Sequence, residues 1–146
     1  MELVFVKFSN YRNLDGLQIE INRDLNFIVG ENNIGKSNFQ NGLIKALSAK
    51  PFTKDDFTDE DTPLHIQMKL HLSEEEIGIF DDLVDPLDGE SINIIAMQET
   101  PDEYIKYFHV ESGEQIQAIL LTIVLLISPD YQFYFDEFCI YKLYHQ

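Results

Sequence analysis

Leu64 to Leu72 alternates apolar and polar residues without a break. A period of two puts Leu64, Ile66, Met68, Leu70 and Leu72 on one face and predicts a strand with one buried side. Leu17 to Ile21 has the same period and predicts a half-exposed strand. Leu3 to Phe8 is rich in β-formers and is closed by the turn-forming Ser9-Asn10; Leu25 to Val29 reads as a third strand, more apolar toward its end. Ile92 to Gln98 and Tyr104 to Val110 read as two strands joined through Thr100-Pro101-Asp102, and Tyr131 to Phe135 as a final aromatic strand. The period turns helical between Ser37 and Ala49, where Phe39, Leu43, Ile44 and Leu47 form one stripe. Ser73-Glu74-Glu75-Glu76 has the form of a capping box opening a short helix, and Asp85 to Gly89 ends that segment. Gln115 to Ile127 predicts an apolar helix buried on most sides, and Pro51 to Thr62 an acidic loop.

The length of 146 residues suits a single domain around one core. No apolar run reaches the roughly 20 residues needed to span a bilayer, the start lacks signal-peptide features, and Cys139 stands alone. These features predict a cytoplasmic protein with no membrane partner. The net charge of −16 comes from 26 acidic residues against ten Lys and Arg, which argues against tight DNA binding through the general surface. Much of the acid sits in Asp55 to Asp61 and Glu74 to Glu90, read as a solvated loop and face, with a docking surface for a basic partner as the sharper alternative.

Gly30-Glu31-Asn32-Asn33-Ile34-Gly35-Lys36-Ser37 matches Gly-x4-Gly-Lys-Ser, the phosphate loop called Walker A. Gly30 and Gly35 let the backbone curl so that successive N–H groups face a phosphate. Lys36 brings a cation toward the β and γ phosphates, and Ser37 a hydroxyl toward Mg²⁺ at a helix start that favours anions. An apolar strand before and an amphipathic helix after give the motif its expected setting, so ATP and Mg²⁺ are the expected ligands.

Hydrolysis also needs a metal-anchoring acid and a group that activates water. Phe133-Tyr134-Phe135-Asp136-Glu137 delivers two carboxylates at the end of an apolar strand. Asp136 would hold Mg²⁺ through water, and Glu137 would serve as general base. Glu111-Ser112-Gly113-Glu114-Gln115 precedes the apolar helix; a Ser-Gly pair there is either a plain cap or a phosphate-facing turn, and its place one helix before Asp136 favours the second.

These three motifs, in this order, resemble the ABC-type ATPase heads of the SMC, RecF and OLD families. Phe8-Ser9-Asn10-Tyr11-Arg12-Asn13-Leu14 is similar to the opening of such heads, and Pro51 to Phe57 to the OLD-like branch. The resemblance implies an α/β P-loop NTPase fold over 1–146, with a mixed β-sheet flanked by helices and an N-terminal antiparallel β subdomain. It implies that Arg12, Asn32, Asn33 and Asn38 lie near the nucleotide with the phosphate loop. It makes Ser112, Gly113, Glu114 and Gln115 a signature motif that touches the γ-phosphate of a second copy. It further implies a homodimer closed on ATP, a nuclease or other protein partner, and DNA engaged only by the assembled complex, in DNA repair or anti-phage defence.

Three departures qualify it. The interval from Ser37 to Ser112 has no heptad pattern, so the coiled-coil arm is expected to be missing. The glutamine that joins Mg²⁺ to such an arm is Gln98, with Gln67 behind it, and a plain hairpin glutamine is an equal reading. Phe138 stands where the family has proline, and His145 lies too near Glu137 to be the switch histidine. A nucleotide-binding or protein-interaction module without turnover is therefore the alternative, and another P-loop enzyme such as a kinase ranks below it.

Overall fold

The computed structural model describes residues 2–21 and 33–117. The strand expected at Leu25 to Val29, the first part of the phosphate loop, most of the apolar helix and the Asp136–Glu137 strand lie outside the described residues.

Among the described residues the strands form one antiparallel sheet. β1 (Glu2–Ser9), β2 (Gln18–Glu20), β3 (Leu64–His71), β4 (Ser91–Gln98), β5 (Lys106–His109) and β6 (Gln115–Ile116) take the order β2-β1-β3-β4-β5-β6. The expected strands at Leu25 to Val29 and Tyr131 to Phe135 lie outside the described residues, and all described pairings are antiparallel. The connections explain this: β1 to β2 and β4 to β5 to β6 are short returns, which antiparallel neighbours allow and parallel ones do not.

The register stacks the apolar periods. Phe8, Ile66, Ala96, Tyr107 and Ile116 lie in one row across five strands, and all are buried. Val6, Met68, Ile94 and His109 form the next row, so a histidine takes a core position. Against this face lies α1 (Asn33–Ser48), whose Phe39, Leu43 and Ala46 are buried. Phe8 stacks on Tyr11 with ring centroids 5.5 Å apart and meets Phe39 at the same separation. Gly42 marks the closest approach, for a Cβ there would stand 2.8 Å from Phe8 and 2.9 Å from Tyr11. The Tyr107 hydroxyl donates to the Ala46 carbonyl and ties the helix to β5.

α1 begins at Asn33, four residues ahead of the expected start. Gly35 is not among the positive-φ glycines and has open space around it, so nothing at that residue holds the chain out of a helix. The helix ends with Ala49 in the left-handed region and Lys50 N donating to Lys45 O, ahead of Pro51. α2 (Glu74–Ile79) carries the predicted capping box, with Ser73 N donating to Glu76 and Glu76 N to Ser73 Oγ.

Candidate functional site

The phosphate-loop sequence runs directly into α1, so the sheet that holds α1 also fixes the site. Asn33, Gly35, Lys36 and Ser37 form its first turns; Lys36 is half-buried and the Ser37 side chain exposed. Gly30 and Asn32 lie outside the described residues, as do Asp136 and Glu137.

Beside these turns sits a polar cluster built from three separate segments. Asp56 is fully buried, at the end of the 3-10 turn Lys54–Asp56. Arg12 Nε donates to Asp56 Oδ1 at 2.9 Å, and its Nη2 lies 2.7 Å from the same oxygen. Lys45 Nζ, from α1, reaches Asp56 Oδ2 at 2.5 Å, and Thr53 N donates to that oxygen at 2.8 Å. Arg12 Nη1 also donates to Asn38 Oδ1 at 2.6 Å, while Asn38 Nδ2 donates to Asn13 Oδ1 at 2.7 Å. Tyr11 completes the join by donating its hydroxyl to the Asn38 carbonyl. Burial works to raise the Asp56 pKa, but hydrogen bonds from Lys45, the Thr53 amide and Arg12 outweigh it and hold the carboxyl below its ordinary range. Burial pushes the Tyr11 phenol up to about 12.

Arg12 is bonded to Asn38, which stands within α1 one residue beyond Ser37. Asn38 itself is 6% exposed and its amide is engaged on both sides, so what it does here is align Arg12 and Asn13. The acidic loop is exposed as expected at Asp55, Asp59, Glu60 and Asp61 and needs correction at Asp56 alone. Its central carboxylate is an internal counterion, and Asn10 pins the rest through bonds to the Asp59 and Thr62 carbonyls and from the Asp59 amide.

Gln98 is fully buried and belongs to the hairpin reading. Its Oε1 accepts from Phe52 N, and its Nε2 donates to the Phe52 and Thr100 carbonyls, which fastens the loop after α1 to the end of β4. Gln67 pairs with Lys7 and Ile95 on the sheet face opposite α1, which removes it from the surroundings of Ser37.

The Ser-Gly pair is also placed differently. Gln115 and Ile116 are a strand, not the start of a helix, because Ile116 fills the core row beside Tyr107. Ser112 and Gly113 therefore lie in the β5–β6 turn, where Gly113 has φ +71° and its amide donates to the His109 carbonyl. Ser112 Oγ lies 2.8 Å from His109 Nδ1 and accepts from Glu114 N at 3.2 Å. His109 Nε2 is 2.9 Å from Glu111 Oε2 without making a hydrogen bond there. Glu114 and Gln115 are exposed.

Sequence reading missed Asp56, Lys45 and His109. The spacing of Thr53 and Asp56 is a capping-box pattern and was the available signal for the first. His109 follows the alternation of β5, which marks it as inward but not as a partner of Ser112.

The donors near α1 fit a nucleoside triphosphate with Mg²⁺: a cation at Lys36, an exposed hydroxyl at Ser37 and a guanidinium at Arg12. Among the described residues no group of three or more His, Cys, Asp or Glu is placed to hold a metal ion. Nor is any helix among them long and apolar enough to cross a membrane.

An α/β domain whose antiparallel sheet supports a helix headed by a phosphate-loop sequence is the class defined so far. The chain belongs to the AAA ATPase domain family, whose model matches residues 1–140. That membership makes it an ATPase-type domain, with nucleotide and usually Mg²⁺ as ligands. No curated protein matches the chain.

Proposed function

We propose that this domain binds and hydrolyses ATP as a head that pairs with a second copy of itself, in the manner of SMC, RecF and OLD proteins. The observation that carries the reading is the family match over residues 1–140, which covers the phosphate loop and the Asp136–Glu137 pair together. When bound, Mg²⁺ supplies charge neutralisation on the phosphates. Lys36 and the amides of the α1 first turn would bind the phosphates, Ser37 and Asp136 would hold the metal, and Glu137 would take the proton from the attacking water. Ser112 to Gln115 would reach the nucleotide of the other copy, so that ATP favours the closed pair and its loss reopens it. DNA maintenance or anti-phage defence beside a nuclease or other protein partner is the setting this reading suggests, with DNA engaged by the assembled complex.

One observation favours a second reading, a nucleotide-binding module without turnover. The Ser112 hydroxyl is already engaged by His109 and Glu114 within its own turn. Turnover and mass in solution separate the two. ATP hydrolysis that is lost in Glu137→Gln, with ATP-dependent dimers retained or enriched there, supports the head. Absent hydrolysis and a monomer at every ATP concentration leave only the module.

A further inference from the structure

The acidic loop places one carboxylate where no solvent reaches it, and both of its oxygens face cations. Asp56 is 0% exposed, while Arg12 and Lys45 keep side-chain exposures of 31% and 21%. Within this cluster two positive charges meet one negative charge. In a chain of net charge −16, a local surplus of one positive charge beside α1 is an exception, and it suits a neighbouring anion.

The backbone is held equally tightly. Arg12 has φ +43° and Asn10 φ +59°, both in the left-handed region that costs a side-chain-bearing residue energy. Three contacts keep Arg12 there: its carbonyl accepts from Thr58 Oγ1 at 2.6 Å, and its guanidinium grips Asp56 and Asn38. A guanidinium held along one edge by a carboxylate has one orientation left, because the fork geometry fixes its plane. Asn38, one residue past Ser37, then fixes that plane relative to α1.

We propose that Asp56 is a positioning residue for the nucleotide site: it fixes the Arg12 guanidinium beside the first turns of α1 and so sets the affinity for the ATP phosphates. This rests on the reading that ATP sits at Gly30–Ser37. Asp56 touches no ligand; its whole effect on nucleotide passes through Arg12. Lys45 shares the carboxylate without sharing the role, since its ammonium is a point charge and approaches from the fourth turn of the helix.

A double-mutant cycle in the whole chain tests this, with the Kd for Mg-ATP as the readout. Asp56→Asn is expected to weaken ATP binding about tenfold, equivalent to about 1.4 kcal/mol, when Arg12 is present. In an Arg12→Ala background the same change is expected to cost less than about twofold. Asp56→Glu keeps the charge that both cations need and moves the guanidinium by one methylene; it is run in both backgrounds and carries the test if Asp56→Asn does not fold. Equal losses in the two backgrounds, or no loss with Arg12 present, overturn the proposal while leaving the ATP site standing. If the wild-type chain and Lys36→Ala bind ATP alike, the site reading itself fails and the proposal falls with it.

Discussion

Two stretches of this chain look alike in composition and behave differently in the fold. Asp55 to Asp61 and Glu74 to Glu90 are both short, acidic and free of regular hydrophobic period. In the first, Asp56 is fully buried between Arg12 and Lys45, and the Asn10 side chain bonds to the loop backbone at three places. In the second, most of the acid stays at the surface around α2 and the turn before β4, with Asp85 the buried exception. There Asp88 and Asp85 meet the single cation Lys69, and Leu87 is 93% exposed. What separates them is the number of cations that other elements deliver. One region is an internal joint between the β1 turn and α1; the other is a solvated rim with local turns.

The largest expected contrast comes from neutralising one carboxylate in each region. Asp56→Asn leaves two cations without their buried counterion and should cost about 3–5 kcal/mol in urea unfolding. Asp88→Asn, at a half-exposed site whose bonds to Ser91 are local, should cost only about 0.5–1.5 kcal/mol. Similar losses at both positions would erase the distinction.

Acid should weaken both regions, because Asp56 in the first and Asp88 in the second are each held below the ordinary aspartate range. Asp56 has a lowered pKa in the fold, so below the ordinary aspartate value of 3.8 the unfolded chain binds a proton that the folded one resists. Its stabilisation is therefore present above that value and lost as pH falls through the folded one. His65 acts earlier: burial, then the charge of Lys7, lowers its pKa against an opposing pull from Asp15. Below its ordinary value of 6.5 the unfolded chain again takes up the proton first, so stability declines in that window too. Denaturant midpoints measured from pH 7.5 to 3 should fall in two stages, and the lower stage should shrink in Asp56→Asn, with Asp88, Glu76 and Asp59, whose carboxyls are also held below their ordinary range, supplying what is left of it.

Gly42→Ala tests how tightly the joint packs. Alanine normally favours a helix interior, yet here its Cβ would press on Phe8 and Tyr11, and a loss of about 1–3 kcal/mol is expected. A gain would mean that the contact is loose. In the outer region the effects should be smaller. Ser73→Ala removes the cap of α2 and should cost about 1 kcal/mol, while Leu87→Ser should change stability by no more than about 0.5 kcal/mol.

The strands were legible because alternation is local. Leu64 to Leu72 announces its buried face residue by residue, and the α2 cap is written in four adjacent positions. The joint was not legible, because Asp56, Arg12, Lys45 and Asn38 come from three segments and only folding makes them neighbours. The β5–β6 turn was misread for a related reason: Gln115 and Ile116 begin a helical-looking run, and pairing with Tyr107 and Phe108 overrides that local preference. The phosphate loop was legible as a motif, yet its helix starts at Asn33, a boundary that composition does not mark.

Titration of the chain with Mg-ATP, beside Lys36→Ala, tests the central claim most directly. The account predicts saturable binding by the wild type and loss of it in the variant, with both proteins equally folded. Equal binding by the two would place the nucleotide away from Gly30–Ser37 and contradict the account.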